Sequence, residues 1–431
     1  MRIGWYFSPM TDLSRRDLIA GAAGFIGGAA LAGLPLAVEG QRAAAAATPP
    51  VEPAPRPVAP LDATTMPGAP TSALGERSAY YAPGRIPVGT PVGSSRTPLQ
   101  DLTGTITPSD LHFERHHAGV PMLDPERHTL TIHGLVDRPM SFTVEDIKRF
   151  PQITRTYFIE CSGNGAAGYR DPKPDITPQP LAGLFSTSEW TGVPLATLFR
   201  EVGVKPDATW FLAEGGDACK LARSIPIAKA WDDAMIVWAQ NGEPLRPGQG
   251  YPMRLLLPGF EGNSNVKWLR RLELGTKPWM TRWETSKYTD PLPDGTARIF
   301  TFEIDAKSVI TSPCYPQTIA AKGWRSVNGL AWSGRGRITR VEVSLDGGGT
   351  WHDAELLNTP QPKSTVRFQY MWNWQGEEAV LLSRASDDAG YVQPTRTAMI
   401  AERGLYTDYH YNQIIGWKVD RSGAVTFHGE T

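Results

Sequence analysis

A chain of 431 residues is long enough for two or three domains, and 41% hydrophobic with 20% charged residues is typical of a globular protein. A formal net charge of −1 excludes a basic field that would draw the chain to nucleic acid. Three cysteines are too few for a disulfide framework, whereas 14 tryptophans and 38 prolines favour loop-rich β structure over helical bundles.

Residues 1–47 are predicted to be an export signal of the twin-arginine type. Arg15 and Arg16 precede a Gly/Ala-rich apolar run over residues 18–38, and the small residues that follow suit a signal peptidase. A membrane anchor is the alternative, because the run approaches the ~20 residues that span a bilayer. Its five glycines make it weakly hydrophobic, however. We therefore expect export of a folded chain to the periplasm, with no anchor after cleavage.

Residues 48–96 are rich in Pro, Ala, Gly and Ser, which predicts an extended arm or linker without its own core. Residues 97–290 show mixed patterns. Strands are predicted in "HTLTIHGLV", "TRTYFIEC", "ATWFLAEGG" and the almost continuously apolar "YPMRLLLPG". Helices are predicted in "TVEDIKRF", which begins with a Thr cap, and in "PLATLFREVGV", which begins with Pro and ends near Gly203. This part of the chain is therefore predicted to be an α+β domain.

Residues 291–431 are predicted to form an immunoglobulin-like β-sandwich. An alternating strand over residues 338–345 is followed by an Asp-Gly turn and a second strand from Thr350, which predicts a hairpin. "TVRFQYMWNWQG" and "EAVLLSRASDDAG" continue the series at the spacing of sandwich strands.

The stretch "FIECSGNG" places Cys161 after an apolar strand and before a glycine turn. A buried structural cysteine and a thiolate ligand of a soft or high-valent metal are both compatible with this position. Gly163 and Gly165 would let a bulky cofactor reach the sulfur, and Asn164 supplies an amide behind it. Upstream, "HFERHH" holds three histidines and Arg115. It is compatible with a zinc site completed by the cysteine, with a surface loop, or with a positive pocket for an anionic cofactor.

The segment "GYPMRLLLPGFEGNSNVKWLRRLEL" favours an anion site. Arg254 lies in the middle of its buried strand, which is costly unless an anion or a carboxylate pairs with it. The Gly/Asn/Ser loop that follows exposes backbone N–H groups beside Lys267 and Arg270, an arrangement that suits a phosphate. A solvated edge loop is the alternative.

Two further side chains are candidates for binding or catalysis. Tyr288, at the predicted domain junction, could stabilise a developing oxyanion or simply pack between domains. Asp217, in a glycine turn after a strand, could accept hydrogen bonds from a pterin or simply form the turn.

Taken together, "FERHHAGVP", "FIECSGNG", "EWTGVPL", "GYPMRLLLPG", "VKWLRRLEL" and "GLAWSGRGRITRVEVSLDGGGTW" resemble the sulfite oxidase family of molybdenum enzymes over about residues 97–420. The order of the motifs implies a molybdopterin domain followed by a sandwich dimerisation domain. Within the family, "FERHHAG", "ECSGNG", "TSEWTGVPL" and "ETSKYTDPLPDGTAR" are most similar to the molybdenum subunits of periplasmic sulfane dehydrogenases.

The resemblance implies a role for each candidate residue. Cys161 would bind molybdenum beside the dithiolene sulfurs of molybdopterin, while Arg115 and Tyr288 would face an anionic substrate. The cofactor would be contacted or supported by His117, Asn164, Asp217, Arg254, Lys267 and Arg270.

The chain also departs from the sulfite oxidase pattern. Gly165 and Ala166 stand where basic residues are usual, and Gln249 stands where a histidine is usual. Less positive charge favours a sulfane carried as a cysteine persulfide on a carrier protein over free sulfite. No C-x-x-C-H motif occurs, so this chain holds no c-type haem, and the resemblance implies a dihaem cytochrome c partner. A homodimer through the sandwich is also implied. A free-sulfite dehydrogenase and a noncatalytic scaffold subunit are the alternatives.

Overall fold

Two β-rich domains follow one another along the chain in the computed structural model, which describes residues 63–292 and 294–430. The predicted signal segment and the start of the predicted arm lie outside the described residues. Within the described part of the chain, no helix is both long and apolar enough to span a bilayer.

The strands up to the domain junction lie in the arm and the first domain. They are β1 (Ile86–Val88), β2 (Gly93–Arg96), β3 (Glu114–His116), β4 (Thr129–Gly134), β5 (Met140–Thr143), β6 (Ile153–Glu160), β7 (Phe185–Pro194), β8 (Trp210–Gly215), β9 (Ala222–Pro226), β10 (Met235–Gln240), β11 (Glu243–Pro244), β12 (Arg254–Leu256) and β13 (Leu269–Gly275).

The remaining strands belong to the junction and the second domain. They are β14 (Asp290–Pro291), β15 (Ala297–Arg298), β16 (Lys307–Ser312), β17 (Gly323–Trp332), β18 (Ile338–Ser344), β19 (His352–Asp353), β20 (Glu355–Leu356), β21 (Thr365–Trp374), β22 (Ala379–Asp387), β23 (Gly416–Val419) and β24 (Val425–His428). The α-helices are short: α1 (Val144–Lys148), α2 (Ala166–Tyr169), α3 (Pro178–Ala182), α4 (Leu195–Val202), α5 (Ile227–Asp232), α6 (Arg282–Thr285) and α7 (Arg396–Arg403). The 3-10 turns are Ala63–Thr65, Leu99–Asp101, Ser109–Leu111, Pro247–Gln249 and Gly262–Ser264.

Two sheets with short helices form the first domain, which confirms the predicted α+β class. One sheet has the order β5-β4-β13-β8-β9, and the other has the order β11-β10-β7-β6 with β12 also paired to β10. Helix α1 begins as predicted, because the Thr143 hydroxyl accepts from the Asp146 N–H and the Asp146 carboxylate accepts from the Thr143 N–H. The amphipathic α4 buries its apolar face and ends at Gly203, whose φ is 68°.

The strand predicted in "YPMRLLLPG" is shorter than expected. Only Arg254–Leu256 pair with β10, although all three residues are buried as predicted. Pro252 and Pro258 flank this strand and have no N–H to donate to a ladder, which limits its length.

The second domain is a two-sheet sandwich, as predicted. One sheet has the order β16-β17-β21-β20 and the other β19-β18-β22-β23-β24. The strand expected from Thr350 is only the two-residue β19. The sandwich core continues into the first domain, since Phe158 and Phe185 pack on Trp332, and the Phe185 and Trp332 rings stack at 3.8 Å between centroids.

Part of the predicted arm is folded. Strands β1 and β2 pair antiparallel, and β2 pairs with β3, so that Ser94 lies opposite Arg115. This small sheet brings the histidine-rich segment to the carboxyl end of β6, where Cys161 lies.

Candidate active site

The candidate site is a pocket that opens where β3, the end of β6 and the loops after β8 and β12 meet. Its wall includes seven of the residues singled out in the sequence: Arg115, His117, Cys161, Asp217, Arg254, Lys267 and Tyr288.

Cys161 begins a tight turn directly after β6. Its N–H donates to the Leu184 carbonyl at 2.9 Å, and its carbonyl accepts from the Asn164 N–H at 2.9 Å. Burial raises the pKa of the thiol, while the Gly163 backbone and the nearby Arg115 lower it. A Cβ placed on Gly163 would meet no protein atom within 4 Å, so the turn leaves open space beside the sulfur.

The three histidines of "HFERHH" have separate partners. His112 Nδ1 lies 3.0 Å from the carbonyl of the next residue, His116 Nδ1 lies 2.8 Å from Lys267 Nζ, and His117 Nε2 lies 2.6 Å from the Tyr288 hydroxyl. Among the described residues, no group of three or more His, Cys, Asp and Glu is placed to hold a metal ion. The geometry therefore does not form the zinc site considered from the sequence.

Lys267 holds β3 in place from behind. Its buried ammonium donates to the carbonyls of Arg115 at 3.1 Å and Gly248 at 2.9 Å, and bonds His116 Nδ1 at 2.8 Å. Burial lowers its pKa, and the neighbouring Arg254 lowers it further. Because three contacts within the chain engage the ammonium, Lys267 positions the Arg115 strand and contributes positive charge to the pocket.

Arg254 is the second buried cation of the pocket wall. Its guanidinium donates to the carbonyls of Gln249 at 3.1 Å and Asn265 at 3.0 Å, whereas its Nε has no hydrogen-bond partner among the described residues. Burial lowers its pKa to about 9. No carboxylate among the described residues pairs with Arg254. Because a buried unpaired charge is costly, this arrangement suits the binding of an anion at Arg254.

Tyr288 and His117 form a hydrogen-bonded pair beside Arg115. Tyr288 adopts a φ of 51°, its N–H donates to the Tyr409 hydroxyl at 3.2 Å, and its ring lies against Arg223 at 5.2 Å. Burial raises the pKa of Tyr288, so the phenol stays protonated. Burial and then Arg115 lower the pKa of His117 to about 4, so the imidazole is neutral near pH 7. The pair can therefore donate and accept hydrogen bonds while both side chains remain neutral.

Comparisons with known proteins place these features in a family. Residues 117–283 match the oxidoreductase molybdopterin-binding domain, and residues 298–417 match the Mo-co oxidoreductase dimerisation domain. The structure of the sulfane dehydrogenase SoxCD from Paracoccus pantotrophus is similar over 84% of this chain and 95% of that chain, with 44% identity and a TM-score of 0.81. The chain belongs to the sulfite oxidase family. It is thus a molybdenum-dependent oxidoreductase with the molybdopterin cofactor of that family.

More distant family members are longer proteins. Mitochondrial sulfite oxidase of Mus musculus is 30% identical over 332 residues, which cover 71% of this chain and 61% of that protein. A nitrate reductase of Phaseolus vulgaris is 34% identical over 321 residues, which cover 67% of this chain. The chain spans only 36% of the length of that nitrate reductase.

The pocket fits the family cofactor. Arg254 Nε and His112 Nε2 are buried atoms without partners among the described residues, and both residues line the pocket. Two buried cations suit the anionic phosphate of molybdopterin, and a half-buried thiol beside open space suits a soft metal ligand.

Two predicted cofactor residues lie off the pocket wall. Arg270 is 44% exposed, and its Nε donates to a Glu214 carboxylate oxygen at 2.6 Å, because the alternation of β13 turns it away from the buried Leu269. Asn164 lies beneath the turn, where its amide donates to Glu160 at 2.8 Å and accepts from the Leu184 N–H at 3.0 Å. The structure therefore gives Arg270 no direct contact with the pocket and makes Asn164 a support of the Cys161 turn.

Sequence reasoning missed several residues that shape the site. Gln249 was noted only as a departure, yet its amide donates to the Phe113 carbonyl at 2.8 Å. Glu160 is a buried carboxylate at the apolar end of β6. A charged residue within this apolar run is the feature of the sequence that could have identified it. Tyr409 and His410 come from the second domain, and no local pattern connects them to the pocket.

Proposed function

We propose that the chain is the molybdenum subunit of a periplasmic sulfane dehydrogenase. The observation that carries the proposal is the match to the SoxCD structure over 95% of that chain at 44% identity. The substrate would be a sulfane sulfur held as a cysteine persulfide on a carrier protein. The electrons would pass to a cytochrome c subunit, because this chain has no C-x-x-C-H motif to hold its own c-type haem.

Cys161, Arg254 and Lys267 would hold the cofactor. Cys161 would supply the protein's sulfur ligand to molybdenum, and the unpaired Arg254 Nε would donate to an anionic oxygen of the pterin phosphate. Lys267 would add positive charge and keep Arg115 in place. The Asp217 carboxylate, which lines the pocket, would accept hydrogen bonds from the pterin. When bound, the cofactor supplies two-electron oxidation with transfer of a water-derived oxygen atom to sulfur.

Arg115, Tyr288 and His117 would act on the substrate. The Arg115 guanidinium would orient the negative sulfane, and the Tyr288 hydroxyl would donate to oxygen as negative charge develops there. Each oxygen atom that is added comes from one water, which releases two protons, while the sulfur loses two electrons that pass through the cofactor to the cytochrome. The neutral His117, hydrogen-bonded to the Tyr288 hydroxyl at 2.6 Å, is placed to take up a proton.

The weak positive charge near the turn favours the carrier-bound substrate. Gln249 is neutral, and Gly165 and Ala166 carry no charge where sulfite oxidases usually have basic residues. A sulfane delivered on a carrier gains affinity from the surface of that protein and depends less on charge within the pocket.

Export and assembly are part of the proposal. The twin arginines predict passage of the folded holoprotein to the periplasm. A homodimer through the second domain is proposed from its match to the dimerisation domain and from Trp324 and Met371, which are 64% and 49% exposed. Both side chains lie on the same face of one sheet, because Met371 pairs with Ser326 two residues from Trp324.

The test compares two substrates at equal concentration. Reduction of a c-type cytochrome by the purified holoprotein would be followed with a persulfidated carrier protein and with sulfite alone. Faster reduction with the carrier supports the proposal. Faster reduction with sulfite would identify a free-sulfite dehydrogenase, and no reduction with either substrate by a molybdenum-loaded chain would favour a scaffold subunit.

A further inference from the structure

A buried ion pair lies directly beneath the Cys161 turn. The Glu160 side chain is 4% exposed and the Lys307 side chain is 1% exposed, and Lys307 Nζ lies 2.9 Å from Glu160 Oε1. The same carboxylate accepts from the Asn164 amide at 2.8 Å and from the Trp332 indole N–H at 2.6 Å. Glu160 is the last residue of β6 and immediately precedes Cys161.

Lys307 contacts both ends of the turn. Besides Glu160, its ammonium donates to the Asn164 carbonyl at 3.0 Å. A Cβ placed on Gly165 would lie 3.2 Å from Lys307 Nζ, so the turn closes directly against the ammonium. Lys307 is the first residue of β16, and Trp332 is the last residue of β17. Both side chains that donate to the Glu160 carboxylate from the sandwich therefore belong to the second domain.

A buried pair is stable only when its hydrogen bonds are nearly ideal, and such a pair fixes one geometry. Glu160 accepts three hydrogen bonds from three different residues, and none of its side-chain atoms is left buried without a partner. The ring of Trp332 is in turn fixed by stacking on Phe185 at 3.8 Å between centroids. The position of the turn is therefore set jointly by strands of both domains.

We propose that the second domain is a structural part of the metal centre, with Lys307 and Glu160 as positioning residues that hold the Cys161 thiolate toward the pocket. The inference rests on the proposed role of Cys161 as the metal ligand and is independent of the substrate. The second domain therefore has a function at the cofactor in addition to any role in dimerisation. Supports behind a ligand typically change metal affinity about 10- to 100-fold when removed.

The experiment measures molybdenum per chain in full-length protein purified from its periplasm, for the native chain and for K307M, E160Q and E160Q/K307M. We expect K307M to lower molybdenum content about 10-fold or more. Because the two residues act as one unit, we expect the double variant to lose no more than the more severe single variant. Losses that multiply in the double variant would overturn the proposal.

K229M is the matched control. Lys229 is also a buried lysine, its Nζ lies 2.6 Å from Asp233 Oδ1, and it does not line the pocket. Circular dichroism and thermal melting would show whether each variant is folded. Full molybdenum in folded K307M, or an equal loss in K229M, would refute the positioning role.

C161S separates this inference from the proposed function. If X-ray absorption shows one sulfur ligand fewer around molybdenum in C161S than in the native chain, the ligand role stands, and the K307M result alone decides the positioning role. If the native chain and C161S show the same number of sulfur ligands, the role of Cys161 itself fails, and the positioning role fails with it.

Discussion

At the scale of single residues, two titratable side chains of the pocket, Tyr288 and His117, keep the same protonation state near neutral pH. The Tyr288 phenol stays protonated because burial raises its pKa, and His117 stays neutral because burial and Arg115 lower its pKa to about 4. Arg115 is then the permanent positive charge next to this neutral pair, so an anionic substrate is oriented by Arg115 and receives a hydrogen bond from Tyr288.

Replacing Tyr288 by Phe tests this arrangement. The variant removes only the hydroxyl that lies 2.6 Å from His117 Nε2 and keeps the ring that packs against Arg223. We expect kcat to fall about 100- to 1,000-fold with little change in KM, as for loss of one donor to a developing oxyanion. Steady-state kinetics at fixed molybdenum content would measure it. The control is Y370F, which is remote from the pocket, and a kcat of Y288F within twofold of native would contradict the role.

At the scale of elements, the turn after β6 depends on two glycines for different reasons. Gly165 has a φ of 111°, and a Cβ there would lie 2.8 Å from the Tyr411 Cβ and backbone oxygen. A Cβ placed on Gly163 would meet no protein atom within 4 Å, so the packing of the protein does not require glycine there.

Alanine substitutions distinguish these two reasons. G165A is expected to destabilise the fold by about 1–3 kcal/mol, because it adds both left-handed strain and a clash. G163A is expected to leave the free energy of unfolding unchanged and to lower molybdenum content. Urea denaturation together with metal analysis of both variants would measure these effects. Equal destabilisation by the two alanines would show that Gly163 is also needed for packing.

At the scale of the whole molecule, a second buried cluster joins the domains. His410 Nε2 lies 2.5 Å from Glu261 Oε1 and 3.5 Å from Asp290 Oδ2, with Arg403 Nη1 3.8 Å from the same Asp290 oxygen. The His410 backbone N–H also donates to the Ser162 carbonyl at 2.9 Å. Burial and Arg403 oppose charge on His410, but Glu261 and Asp290 outweigh them and raise its pKa.

The raised pKa predicts how stability depends on pH. A histidine with a folded pKa above its unfolded value of about 6.5 contributes full stability below that value, and the contribution is lost as pH rises through the folded pKa. Each unit of the difference is worth about 1.4 kcal/mol. Urea unfolding from pH ~6 to ~9 should show this decline in the native chain and not in H410Q. The control is H352Q at an exposed histidine, and an unchanged pH dependence in H410Q would refute the interpretation.

The proposed dimer makes another prediction at this scale. A glutamate at position 324 places a charge on the exposed face that Trp324 shares with Met371. We expect W324E to be monomeric by light scattering after gel filtration, whereas M66E, a change at an exposed methionine of the arm, keeps the native mass. If W324E keeps the native mass, the dimer interface does not include this face of the sheet.

Much of the architecture followed from local pattern. The Thr143 cap, the amphipathic "PLATLFREV" and the alternation in "ITRVEVS" each have a periodicity that local physics converts into a helix or a strand. Cys161 was found because it lies between an apolar strand and a glycine turn, and Arg254 was found because a charge in an apolar strand is costly unless an anion pairs with it. Arg270 lies off the pocket wall, and the sequence did not indicate this because the direction of each β13 side chain depends on how the strand pairs with its neighbours.

The sequence by itself determined the two-domain order, the α+β and sandwich classes and the family motifs, since these depend on short-range periodicity and residue type. Only the tertiary structure decided that Lys267 is engaged by the β3 segment and that Asn164 lies beneath the turn. It also showed that Lys307 and His410 reach the Cys161 turn across the domain boundary. Lys307 lies 147 residues from Glu160 along the chain. Such a contact forms only when two sheets pack together, and no local preference records it.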